Sequence, residues 1–144
     1  MQRKKVIVFS DGGARNNPGP GAGGAVVFFE ESQRLVAEGN YYGKLTNNQA
    51  EYRALLDALN IVLHYYQDED AGDIEVEIYL DSELMVKQLK GEYRVRNEGL
   101  AEYYLKLQKI LSQFGSASIS HVMRANNKLA DSLVNAVLDR WENK

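Results

Sequence analysis

Apolar side chains recur along this chain with two periods, and each period predicts one kind of secondary structure. A period of two residues predicts β-strands and occurs in five segments: 4–11, 25–30, 34–42, 74–81 and 117–122. Prolines and glycines over residues 18–24 predict a loop between the first two strands. Because the first three strands follow one another closely, we expect them to form an antiparallel meander.

Helical periodicity occupies most of the remaining chain. The segment Thr46-Asn47-Asn48-Gln49 matches a capping box, so a helix with an apolar face is expected to begin there. Further helices are predicted over 82–90, over 100–114 and after Asn127, which is expected to cap the last one. The order β-β-β-α-β-α-α-β-α predicts a single α/β domain over residues 1–144, a mixed sheet with helices packed on it.

Composition limits the chemistry that is open to the chain. It has 144 residues, a net charge of −3 and no cysteine, so disulfides and thiolate metal ligands are excluded. No segment resembles a signal peptide or a membrane span, which predicts a cytoplasmic protein without membrane contact. The net charge does not indicate a nucleic-acid partner, although basic residues cluster locally at Lys87, Lys90, Arg94 and Arg96.

Four acidic residues stand where a carboxylate is expected to point toward the core. Asp11 and Asp81 end predicted strands, while Glu51 and Asp131 lie on the apolar faces of predicted helices. Buried carboxylates are costly unless something compensates their charge, and a divalent metal ion is the usual compensation. Four carboxylates suit two Mg²⁺ ions about 4 Å apart, the arrangement that promotes in-line phosphoryl displacement. With no cysteine and only two histidines, a zinc site is disfavoured.

Each of these acids also has a simpler explanation when taken alone. An aspartate after a strand often forms a turn, and a glutamate in a first helical turn stabilises the helix dipole. Four such residues in one domain favour the metal site over four separate coincidences.

The segments around these acids resemble the type 1 ribonuclease H family. They are S-D-G-G-A-R-N-N-P-G-P-G-A-G-G-A, T-N-N-Q-A-E-Y-R-A-L, Y-L-D-S-E-L-M-V and H-V-M-R-A-N-N-K-L-A-D-S-L-V-N. They follow the family order and cover about Val6 to Asp139. The resemblance implies the ribonuclease H-like fold, with helices on both faces of a five-stranded mixed sheet. It also implies a compact form without the basic protrusion that some relatives use to bind substrate.

The resemblance further implies cleavage of the RNA strand of RNA/DNA hybrids, leaving 5′-phosphate and 3′-hydroxyl ends. Two Mg²⁺ or Mn²⁺ ions would be held by Asp11, Glu51, Asp81 and Asp131, with Asp11 bridging both. Residues at the family's substrate-contact positions are Gly12, Gly13, Asn17, Thr46, Asn47, Asn48 and Glu83. Thr46 and Asn17 have alternative structural explanations as a helix cap and a turn residue, which are compatible with substrate contact.

The chain also departs from the family pattern. Glu83 stands where the family often has glutamine, which puts its contact with ribose in question. Many members carry a histidine in a flexible loop before the last aspartate, but here His121 ends the predicted strand and is interpreted as structural. Arg124 is therefore the hypothesised assistant of phosphate turnover. We also expect weak, strongly salt-dependent hybrid binding.

The remaining aromatic residues and the competing functions complete the expectations. His64, Tyr65 and Tyr66 are predicted to finish the packing of a helix, and Tyr103 and Tyr104 to lie in the core. One alternative function is another nuclease or strand-transfer enzyme of the same fold, such as a junction resolvase or an integrase. A second alternative is a non-catalytic hybrid-binding module. A monomer is expected.

Overall fold

The computed structural model describes residues 3–142. Five strands form one sheet: β1 Lys4–Ala14, β2 Gly19–Phe29, β3 Arg34–Leu45, β4 Ile74–Leu80 and β5 Ser116–His121. Four α-helices connect or follow them: α1 Asn47–Tyr65, α2 Glu83–Leu89, α3 Glu98–Leu111 and α4 Lys128–Glu142. Short 3₁₀ turns occupy Ala71–Asp73 and Arg124–Asn126.

The sheet is mixed, as predicted, with the strand order β3-β2-β1-β4-β5. β1, β2 and β3 pair in antiparallel fashion, whereas β4 pairs in parallel with both β1 and β5. The predicted meander is therefore confirmed, and two parallel strands extend the sheet beyond β1. The parallel ends of β1 and β4 meet at the same edge, which is where two of the four acids lie.

Helices cover both faces of the sheet, which confirms the predicted architecture. The main core buries one face of the sheet beneath α1, α2 and α3, and includes Val8, Leu55 and Leu107. A smaller core on the other face joins Ala22 of β2 to Val134 and Leu138 of α4. Neighbouring residues of a strand point to opposite faces. A side chain at Gly12 would accordingly meet α1, while one at Gly24, opposite Asp11, would meet α4.

The first strands extend further than the apolar pattern predicts. Asp11 does not end β1, which continues to Ala14, and the predicted glycine loop is the first half of β2. The glycines are required by packing, because a side chain at Gly24 would lie 2.3 Å from the carbonyl oxygen of Ala130 in α4. One at Gly23 would lie 2.2 Å from the hydroxyl of Tyr42 in β3. Composition suggested a turn where the sheet has no room for side chains.

The start of α1 follows the predicted capping chemistry, and α2 is capped by a residue for which no cap was predicted. Thr46 and Gln49 form the predicted capping box of α1, and the Ser82 hydroxyl accepts a hydrogen bond from the Met85 amide at the start of α2. Asn127 does not cap α4 with its side chain, since its Oδ1 accepts no hydrogen bond. Within residues 3–142, none of the helices is long and apolar enough to cross a membrane.

Candidate metal centre

Three of the predicted acids converge at the edge where β1 and β4 diverge. One carboxylate oxygen each of Asp11, Glu51 and Asp81 lies within 4.8 Å of the other two. The parallel pairing of β1 and β4 ends at Ser10 and Leu80, so the next residue of each chain segment is an aspartate. Glu51 reaches them because α1 packs directly on Gly12, whose missing side chain leaves room for the Ala50–Glu51 backbone.

The fourth acid, Asp131, adjoins this group without belonging to the mutually close three. It lies in the first turn of α4, is half-buried, and its carboxyl group interacts with that of Asp11. The Asn135 amide donates to its Oδ2 over 3.4 Å. Asp11 points toward the α4 face of the sheet, where Asp131 lies. Glu51 approaches Asp11 from α1, beside the neighbouring Gly12.

The electrostatics of the cluster show negative charge without sufficient compensation. Burial, followed by the charge of Asp81 and the contact with Asp131, raises the pKa of Asp11 from 3.8 to about 8. Burial also raises the pKa of Glu51, to about 7, against the opposing effects of the Ser82 hydroxyl and the Arg124 guanidinium. Such shifts express the cost of holding several carboxylates together away from water.

A hard divalent cation fits this site. Its donors are carboxylate oxygens, which Mg²⁺ and Mn²⁺ prefer over the nitrogen and sulfur donors typical of zinc. A bound dication would also reverse the electrostatic penalty that raises the pKa values of Asp11 and Glu51. The structure therefore supports a divalent metal centre formed by Asp11, Glu51 and Asp81.

Gly12 and Gly13 border the cluster but have different surroundings. A side-chain carbon at Gly12 would lie 2.3 Å from the Ala50 carbonyl carbon, so this glycine is required by the packing of α1. At Gly13 the nearest atoms would be 3.8 and 3.9 Å away, which is ordinary contact. Packing within the protein therefore explains the glycine at position 12. It does not explain the one at position 13, where a partner molecule has room to approach.

Asparagines connect the turn between β1 and β2 to the start of α1. Asn47 accepts a hydrogen bond from the Ala14 amide over 2.7 Å, and its own amide donates to Asn17 Oδ1 over 2.9 Å. Asn17 and Asn47 thus hold the backbone beside the metal centre, while Thr46 caps the helix. Asn48 lies next to them with an exposed side chain.

The other charged or titratable residues named from the sequence, Glu83, Arg124 and His121, are all exposed. Glu83, in the first turn of α2, is exposed and pairs with Lys87 over 3.0 Å, and Lys87 lowers the pKa of Glu83. Arg124 is exposed in the 3₁₀ turn before α4 and lines one cleft with Asp11, Glu51 and Asp131. His121 ends β5 as predicted, but its side chain is exposed rather than packed.

Away from the site, most of the predicted aromatic packing is confirmed. Tyr65 stacks on Phe29 with ring centroids 3.9 Å apart, Tyr66 is buried, and Tyr103 and Tyr104 pack against the main core. His64 is exposed, so it does not contribute to this packing.

The sequence analysis did not assign two residues, Ser82 and Asn127, to the surroundings of the metal centre. The Ser82 hydroxyl caps α2 and, beside Glu51, opposes the rise in the pKa of that carboxyl group. The buried Asn127 side chain contacts both β1 and Asp81. Its position four residues before Asp131 was the available signal, but it was interpreted as a helix cap.

Comparison with known proteins agrees with this fold. A family model described as reverse transcriptase-like matches residues 9–137. Ribonuclease HI of Halobacterium salinarum is 37% identical over 94% of this chain and 65% of its own length. The structure of a compost-derived ribonuclease H1 in complex with an RNA/DNA hybrid has a TM-score of 0.85 and 38% identity, covering 94% of this chain and 97% of that one.

A third relative comes from a longer protein. The N-terminal ribonuclease H domain of a Mycobacterium tuberculosis protein has a TM-score of 0.85 and 35% identity, covering 95% of both chains. Fold, acidic site and relatives together define a ribonuclease H-like domain. The chain belongs to the type 1 ribonuclease H family. It spans about a third of the length of the first curated relatives, 36% in the bifunctional mycobacterial protein.

Proposed function

We propose that this chain is an endoribonuclease that hydrolyses the RNA strand of RNA/DNA hybrids, giving 5′-phosphate and 3′-hydroxyl ends. The observation that carries the proposal is the convergence of the Asp11, Glu51 and Asp81 carboxylates within 4.8 Å, in the fold of a relative solved with such a hybrid. In this reaction a water oxygen attacks the phosphorus, the bond from phosphorus to the 3′ oxygen breaks, and that oxygen gains a proton.

Asp11, Glu51, Asp81 and Asp131 are the proposed holders of two Mg²⁺ or Mn²⁺ ions in the substrate complex. The ions would lower the pKa of the attacking water and neutralise charge on the leaving oxygen. The role of the acids is to hold the cations on rigid elements: within β1, on α1, after β4 and on α4. Asp11, flanked by the other three, is the proposed shared ligand.

The proposed RNA contacts lie on the loop and helix start beside this centre. The side-chain oxygen Oδ1 of Asn17 already accepts from the Asn47 backbone amide, which leaves the Asn17 side-chain NH₂ group to donate to the hybrid. Gly13 permits close approach of ribose 2′-hydroxyls to its peptide group. The 2′-hydroxyl is the group that distinguishes RNA from DNA. Gly12, Thr46 and Asn47 are proposed to shape this surface, and the exposed side chains of Asn48 and Glu83 are proposed to contact the hybrid.

Arg124 is the proposed assistant of phosphate turnover, because its guanidinium lines the cleft and interacts with Glu51. Arg124→Ala should slow multiple turnover in saturating Mg²⁺ while leaving a single turnover less affected. The two rates are compared by steady-state and pre-steady-state cleavage of labelled hybrid. An unchanged steady-state rate would remove Arg124 from the mechanism.

The test of the function uses matched RNA/DNA hybrid, duplex DNA, duplex RNA and a four-way junction, each end-labelled, with and without Mg²⁺. We expect cleavage of the RNA strand of the hybrid, dependent on the metal. Asp81→Asn should reduce the rate by at least about two orders of magnitude and leave hybrid affinity in place. Preferential cutting of the junction would favour a resolvase, and metal-independent binding without cleavage would favour a binding module.

The expected monomeric state, the cytoplasmic location and the extent of the domain stay predictions.

A further inference from the structure

Asn127 contacts each of the three chain segments that carry an aspartate of the site. Its side chain is 2% exposed and lies just before α4. The side-chain amide donates to the carbonyl oxygen of Ser10, the residue before Asp11, over 2.9 Å. The same amide reaches Asp81 Oδ2 over 3.4 Å, and the Asn127 carbonyl oxygen accepts from the Asp131 amide over 3.1 Å.

The chemistry of these partners calls for an asparagine. Both side-chain contacts are to oxygen acceptors, and an asparagine amide supplies two N–H donors from one nitrogen. An aspartate of the same shape would place acceptors against a carbonyl oxygen and a carboxylate in a buried site, where unpaired charge is costly. The buried Oδ1 of Asn127 accepts no hydrogen bond, so it does not cap α4. The orientation of the side chain is therefore set by the two acceptors that its NH₂ group contacts.

We propose that Asn127 is a positioning residue for the metal centre. It fixes the orientation of the Asp81 carboxylate and sets the start of α4, and therefore Asp131, against β1. This role rests on the proposed function only for its catalytic consequence, because the contacts themselves exist without substrate. Residues that orient metal ligands typically change metal affinity or activity by about 10- to 100-fold when replaced.

The kinetic test compares Asn127→Asp with Asn126→Asp, which introduces the same charge at an exposed neighbouring position. For Asn127→Asp we expect kcat on the hybrid to fall about 10- to 100-fold, KM to change less than about twofold, and the Mg²⁺ concentration for half-maximal rate to rise. Asn126→Asp should match the unmodified protein. A kcat for Asn127→Asp within about twofold of that control would overturn the proposal.

A second measurement, free of metal and substrate, isolates the contact with Asp81. Urea unfolding in EDTA is compared for the unmodified chain, Asn127→Asp, Asp81→Asn and the double variant. The loss in the folding equilibrium constant caused by Asn127→Asp should be at least about tenfold smaller in the Asp81→Asn background. Equal losses in both backgrounds would overturn the proposal, whether or not the unmodified protein cleaves hybrid.

The experiment stays decisive if Asn127→Asp alone does not fold. A double variant that folds would be the expected rescue, and one that stays unfolded would refute the Asp81 contact as the function of Asn127. If Asn127→Asp does not fold, Asn127→Ala replaces it in the kinetic comparison. This variant removes both donors without adding charge, and the same decrease in kcat is expected.

Discussion

Gly12 and Gly13 are neighbours in β1, yet the structure gives them different reasons for lacking a side chain. Gly12 faces the α1 backbone, where an added carbon would overlap Ala50 at 2.3 Å. Gly13 has space for a methyl group, with its nearest potential contact, Val134, 3.8 Å away. The sequence presented both as substrate-facing glycines, because a glycine pair does not reveal which helix will cross it.

A pair of alanine substitutions separates the two roles. Gly12→Ala should destabilise the fold by about 1–3 kcal/mol or more through overpacking. Gly13→Ala should change the free energy of unfolding by less than about 1 kcal/mol but weaken hybrid binding, because a methyl group would stand in the way of the ribose. Urea unfolding and hybrid affinity in an Asp81→Asn background measure the two effects. Unchanged hybrid affinity in Gly13→Ala would exclude Gly13 from the RNA contact.

At the scale of elements, alternation and capping signals predict what local chemistry controls. The order of strands and helices and the capping box at Thr46 follow from local patterns, and the structure confirms them. Contacts between elements are not local, and the wrong predictions concern residues that make such contacts. The glycines at the start of β2 serve the packing of α4 and Tyr42, and the Asn127 side chain serves Ser10 and Asp81. Each of these partners lies far away in the sequence.

A buried hydrogen bond between α1 and α2 is expected to contribute to the stability of the fold. The Tyr52 hydroxyl, next to Glu51 in sequence, donates to Gln88 Oε1 over 2.6 Å, and both side chains are buried. Tyr52→Phe would leave the Gln88 oxygen without this donor and should destabilise the fold by about 1–3 kcal/mol. The control is Tyr93→Phe, which removes an exposed hydroxyl 3.4 Å from Lys87 and should cost less than about 0.5 kcal/mol. Equal effects in chemical denaturation would contradict a role for this buried bond.

At the scale of the whole molecule, the metal centre is assembled from residues up to 70 positions apart, Asp11 to Asp81, in a chain of net charge −3. The sequence predicted which acids point inward, since each lies beside apolar residues of a strand or helix. It also predicted one metal site for all four acids, and the structure brings the carboxylates of Asp11, Glu51 and Asp81 within 4.8 Å of one another, while Asp131 adjoins them beside Asp11. That grouping depends on where β4 ends relative to β1 and on the close approach of α1 to Gly12.

This grouping makes the stability of the metal-free protein depend on pH. The pKa of Asp11 is raised from 3.8 to about 8, and that of Glu51 from 4.5 to about 7, so the folded state binds these protons more tightly than the unfolded state does. Their contribution to stability is full below about pH 4 and is lost as the pH rises through 7 to 8. In EDTA, we expect the free energy of unfolding to be higher at about pH 5.5 than at about pH 8.5, by more than about 1 kcal/mol.

Two controls assign this pH dependence to the metal centre. Asp11→Asn should flatten the profile, because it removes a carboxyl group whose pKa is raised to about 8 and relieves Glu51 of a neighbouring charge. Mg²⁺ or Mn²⁺ should restore stability at about pH 8.5 in the unmodified protein but much less in the variant, since the cation binds only the ionised acids. Thermal or urea unfolding across the pH range measures both. A profile that is flat in EDTA, or that rises toward alkaline pH as it does for ion-paired carboxylates, would mean that burial and the neighbouring carboxylates do not raise the pKa values of Asp11 and Glu51 in the folded protein.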